Sequence, residues 1–241
     1  MKIDVYFTPL GVKEEDLAGR GVVVIDVLRA TTTIVTALAN GAKAVVPAAS
    51  SEEAVRLTAN LEKNGILLAG ERKALKIEGF QLGNSPHEMT PEVVAGKTIF
   101  LSTTNGTPAL VAAQGGAPVL VGAAVNFSAL AERARAVFTA RGDLAIVCAG
   151  REKQFALEDA YTAGRLIKAV KKGVPPKQLS LNDAANVALE LTARYKNWLE
   201  ALQLCDAARQ LAEVDLAADV AFCAKADRFA AVPVYADRRI T

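Results

Sequence analysis

The chain has 241 residues, 51% of them hydrophobic but only 5% aromatic, and a formal net charge of +2. That length can bury a real core in one large domain or two small lobes, and the scattered Lys and Arg form no basic stripe for nucleic acid. Three cysteines (Cys148, Cys205, Cys223) without CxxC spacing and a single histidine, His87, exclude a disulfide framework and multi-histidine zinc sites.

"MKIDVYF" carries an Asp inside its apolar segment and reads as a first strand rather than a signal peptide. No apolar run reaches the ~20 residues that span a bilayer, so a cytoplasmic, membrane-free protein is expected. "GVVVIDVL" (21–28) is a strand before a helix near 31–40 that ends at Asn40-Gly41, a C-cap pair. "AKAVVPA" (42–48) precedes a helix through about 51–64, where Ser can cap and Glu suits the N-terminal dipole. "ILLAGE" (66–71), "KTIFLS" (97–102), "PVLVGA" (118–123) and "DLAIVCAG" (143–150) read as further strands, and helices fit 104–114, 126–140 and 157–172. "LGNSPHE" (82–88) has the turn chemistry of a loop. After Gly173 the pattern is mostly helical to about 224, and "AAVPVYADRRI" closes the chain as a final strand. This alternation, rich in Ala, Val and Leu, predicts an α/β fold with a largely parallel sheet. The segments "VVVIDVLRATTTIVTALANGAKAVVPA" and "KTIFLSTTNGTPALVAAQGGAPVLVGA" share one order of strand, Thr-rich turn, Ala-rich helix, Gly turn and strand, which suggests an internal duplication.

Ligands of open α/β sheets bind at the carboxyl ends of strands. There this chain places Asp26, Arg29, Thr31, Thr32 and Thr33; Gly70, Glu71, Arg72 and Lys73; Ser102, Thr103, Thr104, Asn105, Gly106 and Thr107; and Gly150, Arg151, Glu152, Glu158 and Asp159. Hydroxyls and helix N-terminal amides bind phosphate oxygens, and arginines grip phosphate in pairs of hydrogen bonds. Carboxylates repel phosphate unless a divalent cation lies between them, and carboxylate sites favour Mg²⁺, Mn²⁺ or Ca²⁺. A plainer reading stands beside this one: Ser, Thr, Asn and Gly are ordinary helix caps, and Glu158 and Asp159 complement a helix dipole as well as they would hold a metal. Several phosphate signatures are missing, among them GxxxxGK[ST], GxGxxG and Asp-x-Asp; Cys148 and Arg151 are too close for a Cys-x5-Arg loop.

Taken together, "VVIDVLRATTTIVTALANGA", "GERKALKIEGFQLGNSP", "LSTTNGT", "CAGREKQFALEDAYTAG" and the tail residues Asp219, Phe222, Cys223, Asp227, Val232 and Pro233 resemble the 2-phosphosulfolactate phosphatase family over nearly the whole chain. The resemblance implies a Mg²⁺-dependent phosphatase associated with sulfolactate and coenzyme M synthesis. It also implies a three-layer α/β/α fold of two similar subdomains, here about 1–95 and 96–241 of a single domain. One motif departs. Where many members read Ser-x-His-Gly-Arg, this chain reads Cys205-Asp206-Ala207-Ala208-Arg209, and only Arg209 matches.

The roles expected are as follows. Asp26 is a Mg²⁺ ligand or the nucleophile, with Glu71, Glu158 and Asp159 as further ligands, and Arg29 and Arg151 grip the phosphate. Thr31, Thr32 and Ser102 through Gly106 form an anion cradle, Asn84 and Ser85 line the pocket, and Arg209 either holds the sulfonate or carboxylate or, its surrounding motif being eroded, is an ordinary helix-surface arginine. The partner is a small phosphorylated or sulfonated acid, and the helical 181–224 region could cover a second subunit. A phosphatase of another small phosphorylated acid, or a non-catalytic anion-binding protein, remains open at this point.

Overall fold

Gly21–Ile25 is a run in which no side chain meets solvent, and it lies inside the sheet with covered faces on both sides. Val23 and Ile25 join one hydrophobic core while Val22 and Val24 join another, as the two-residue period of a strand requires. Each such fully buried side chain contributes about 1.5–3 kcal/mol. The computed structural model describes residues 1–241, the side chain of Lys63 apart.

In chain order the first half comprises β1 (Lys2–Tyr6), α1 (Glu14–Leu17), β2 (Gly21–Ile25), α2 (Ala30–Ala39), β3 (Ala44–Pro47), α3 (Ser51–Thr58), β4 (Ile66–Arg72), β5 (Leu75–Lys76) and α4 (Pro91–Val94). There follow β6 (Thr98–Ser102), α5 (Gly106–Ala112), β7 (Val119–Gly122), α6 (Phe127–Arg141), β8 (Asp143–Cys148) and α7 (Leu157–Val170). The last part holds β9 (Ser180–Leu181), α8 (Asp183–Arg194), α9 (Trp198–Leu202), α10 (Asp206–Glu213), α11 (Ala218–Cys223), β10 (Val234–Ala236) and β11 (Arg239–Ile240). Among the described residues no helix is long and apolar enough to cross a membrane.

The strands form one mixed, mostly parallel sheet in the order β5-β4-β6-β3-β11-β10-β7-β2-β8-β1-β9, with helices packed around it in an α/β/α arrangement. β7, β2, β8, β1 and β9 are mutually parallel, as are β3, β6 and β4. Between the blocks lies the hairpin of β10 and β11, antiparallel to β7 and to β3, so the two parallel blocks run in opposite directions. The two similar segments are thereby interlocked: β2 of the first pairs with β7 of the second, and β3 of the first pairs with β6 of the second.

Three sequence readings need correction. The C-terminal segment is a hairpin, not one strand; Asp237 and Arg238 take positive φ (49° and 61°) and make a two-residue turn without the Asn-Gly or Gly that usually announces it. The helix expected over 51–64 closes at Thr58, whose hydroxyl turns back onto the carbonyls of Ala54 and Val55. The helix expected over 104–114 runs only from Gly106 to Ala112 and tightens into a 3₁₀ turn. Two expected caps are present. Ser50 accepts the Glu53 N–H at 3.1 Å, and Gly41 takes φ +92° past the end of α2.

Candidate active site

Asp26 to Arg29 join β2 to α2, and side chains close this turn. Thr31 Oγ1 donates to the Asp26 carbonyl (2.7 Å) and accepts the Asp26 N–H (3.0 Å), while Ala30 N–H donates to Asp26 Oδ1 (3.1 Å). Thr32 and Thr33 donate to the carbonyls of Val27 and Asn84, both at 2.8 Å. The hydroxyls of Thr31 and Thr32 are therefore committed to the turn and stand behind the cleft rather than in it, away from the cradle expected of them.

Opposite stands the start of α5. Thr103 and Thr107 cap it reciprocally, each backbone N–H donating to the other's Oγ1 at 3.0 Å. A Cβ on Gly106 would lie 2.4 Å from Ala30 Cβ and 2.8 Å from Asp26 Oδ2, so only glycine lets the first turns of α2 and α5 meet. This contact is how two blocks of opposite strand direction converge on one site. Thr103 and Asn105 line the cleft; Asn105 Oδ1 accepts the Glu152 N–H at 2.9 Å. Ser102 and Thr104 do not line it. Ser102 is buried with its hydroxyl accepting from Arg72 (3.0 Å), and Thr104 is exposed, its amide held by Glu71.

Four carboxylates line the same cleft, of about 50 Å³: Asp26, Glu71, Glu158 and Asp159, none more than 8% exposed. Glu71, near the end of β4, accepts the N–H groups of Thr104 (2.7 Å) and Ala74 (2.9 Å). Asp159, in the first turn of α7, accepts those of Val27 (2.9 Å) and Gly150 (3.1 Å), tying the exit of β2 to that of β8. Gly150 is fixed by its own turn: φ is +64°, and a Cβ would meet the Gln154 carbonyl oxygen at 2.3 Å.

Burial dominates the electrostatics. The Asp26 carboxyl is pushed up to about 7 by desolvation, with Glu158 and Glu71 adding repulsion against the Ala30 N–H and Arg29. Asp159 is raised by burial and then by Asp26 and Glu158, and Glu158 by burial, opposed in part by Arg151. So many buried acids demand protons or a cation.

The cations do little to relieve them. Arg29 lines the cleft, but it donates to Asp219 (2.6 Å) and to the Ala74 carbonyl (2.9 Å). Asp219, 1% exposed on α11, takes the Ser85 hydroxyl on its other oxygen at 2.7 Å. Ser85 therefore faces Asp219 and not the cleft, and Asp219, which the sequence offered as part of the tail motif but without a role, braces the site. Arg151 lines the cleft with no ion pair or side-chain hydrogen bond among the described residues. Arg209 lies elsewhere, exposed, pairing with Asp206 and donating to the Leu204 carbonyl (3.0 Å). The reason is the helix face: Cys205 Sγ caps α10 by accepting the Ala208 N–H (3.4 Å), which turns Ala207, Gln210 and Leu211 inward and Arg209 out.

Asn84 lines the cleft and is 5% exposed, and its Oδ1 is the one buried side-chain oxygen or nitrogen without a partner among the described residues. Four carboxylates and an orphaned amide oxygen are a hard-oxygen donor set of the kind a small dication takes. Among the described residues no three acidic, His or Cys side chains group closely enough to hold an ion by themselves. A cation bound by one or two carboxylates, water and a substrate oxygen fits that spacing, and this is the usual habit of Mg²⁺.

Residues 6–238 match the family described as 2-phosphosulpholactate phosphatase. A protein of Caldanaerobacter subterraneus subsp. tengcongensis is 40% identical over 97% of this chain and 95% of its own length. One from Symbiobacterium thermophilum is 41% identical over 94% and 95%, and one from Clostridium acetobutylicum is 38% identical over the full length of both. Each of the three is named a probable 2-phosphosulfolactate phosphatase.

Proposed function

Because the chain belongs to the 2-phosphosulfolactate phosphatase family, whose members are phosphoric monoester hydrolases, we propose that its acidic cleft hydrolyses 2-phosphosulfolactate to 3-sulfolactate and inorganic phosphate. The observation that carries this reading is the set of four buried carboxylates facing the orphaned Asn84 oxygen and the uncommitted Arg151. Such a set rejects a phosphate dianion unless a cation intervenes, and accepts one when it does.

Asp26 is the central acid, since it interacts with Glu158 and Glu71 and also raises Asp159. Asp26 with Asp159 or Glu158, and Asn84 Oδ1, would hold Mg²⁺, which when bound neutralises charge on the phosphoryl oxygens. Glu71 and Asp159, each fixed by two backbone N–H groups, keep their carboxylates oriented without rearrangement. Arg151 supplies a guanidinium for two phosphoryl oxygens, and Thr103 and Asn105 close the far wall. Arg29 acts as a fixed positive group whose geometry Asp219 maintains. Phosphoryl transfer depends mainly on positioning and charge stabilisation, and these groups supply both. In the overall reaction the ester P–O bond breaks and a water oxygen joins phosphorus. One proton of that water ends on the sulfolactate hydroxyl.

The test is phosphate release from racemic 2-phosphosulfolactate. Release with Mg²⁺ that EDTA stops and added Mg²⁺ restores is the expected outcome. Release unaffected by EDTA would overturn the cation's role, and none under any divalent ion would overturn the substrate.

A further inference from the structure

The lining of the cleft is layered. Its carboxylates Asp26, Glu71, Glu158 and Asp159 are buried, whereas Asn105, Arg151 and Gln210 are half-buried and form the polar part of its rim. No acid stands among the half-buried lining residues, so the floor is acidic while the rim carries N–H donors. A cation held by the floor draws the phosphoryl group inward, and the part of the substrate farthest from phosphorus then meets the rim. In 2-phosphosulfolactate the carboxylate sits on the same carbon as the phosphate ester, and the sulfonate sits one carbon farther out.

Two of the three rim donors are already engaged. Arg151 serves the phosphoryl oxygens, and Asn105 is anchored by the Glu152 N–H on its Oδ1. The Gln210 side chain makes no hydrogen bond among the described residues. Its place is set by α10, on which Ala207, Gln210 and Leu211 share one face at i, i+3 and i+4 spacing. Ala207 and Leu211 are buried and seat that face against the cleft, which leaves the Gln210 amide at the opening. Arg209, the motif residue expected to hold this group, points away and pairs with Asp206. A neutral amide suits a sulfonate, whose single charge is spread over three oxygens that accept N–H groups without needing a counter-ion. It also adds no cation to compete with Mg²⁺ for the acids beneath.

We propose that Gln210 is the specificity-determining residue for the sulfonate, its Nε2 donating to a sulfonate oxygen at the rim of the cleft. The inference rests on the phosphatase reading above.

Phosphate release from 2-phosphosulfolactate and from 2-phospholactate, which lacks only the sulfonate, tests the contact. Wild type should prefer the sulfonated ester in kcat/KM by about tenfold or more, as a hydrogen bond to a charged group discriminates. Gln210→Ala should bring the two esters to within about threefold, and Gln210→Glu, which sets a carboxylate against the sulfonate, should reverse the preference. Arg209→Ala should keep it. A preference absent from wild type, surviving Gln210→Ala or lost in Arg209→Ala would overturn the proposal. Calorimetric titration of sulfolactate and of lactate with Mg²⁺ reads the same contact without turnover, and the same ratios are expected. Tighter binding of sulfolactate that Gln210→Ala removes, with no phosphate released from either ester, would support the sulfonate contact while sinking the phosphatase reading.

Discussion

The cost of the acidic cleft can be measured by removing one charge. Asp26 has an ordinary carboxyl value of 3.8 raised to about 7 by burial and by Glu158 and Glu71. The folded state therefore binds more protons than the unfolded state between these values, and stability falls as pH rises through that window. At 1.36 kcal/mol per unit, the full cost above the folded value is on the order of 4 kcal/mol. Asp26→Asn retains an oxygen for the Ala30 N–H and removes the charge. In EDTA at about pH 8 the variant should be more stable than wild type by up to about 4 kcal/mol, the gain shrinking to less than about half of that near pH 5. For a chain of this length that is roughly 8–16 °C in melting temperature at the higher pH. Urea unfolding at the two pH values, without metal, is the assay. A variant equal to or less stable than wild type at about pH 8 would refute the electrostatic account of the cleft.

Gly106→Ala drives a methyl group into Ala30 and Asp26, so it should cost about 1–3 kcal/mol in urea unfolding and lower activity together with stability. Arg151→Lys should lower kcat/KM about 10-fold or more with an unchanged melting temperature, because a lysine lacks the paired donors, whereas Arg209→Ala should leave kcat/KM within about twofold. Asp219→Ala leaves Arg29 buried and unpaired and should cost about 3–5 kcal/mol by thermal or urea unfolding.

Much of the fold was legible because its cues are local. Apolar strands such as Gly21–Ile25, bounded by Gly and Thr turns, marked the β–α alternation, and strand ends marked Asp26, Glu71, Glu158 and Asp159, which the structure gathers in one cleft. What escaped depends on direction or on distant partners. The Thr-rich turns looked like phosphate ligands, yet the hydroxyls of Thr31, Thr32 and Ser102 are satisfied within the wall, because a hydroxyl's partner is set by backbone geometry that sequence does not display. Arg209 sits one residue from the inward face of α10, a difference in rotation that a motif match does not reveal. The Arg29–Asp219 pair joins residues 190 positions apart, and nothing near either residue announces the other.

The most direct test of the central claim, that this cleft hydrolyses the phosphomonoester through Asp26, is kcat for 2-phosphosulfolactate in Asp26→Asn at saturating Mg²⁺, with sulfolactate binding measured on the same sample. The account predicts a fall in kcat of about 100-fold or more, with sulfolactate still bound and the fold intact. A kcat within about threefold of wild type would contradict it and move the chemistry to another part of the molecule.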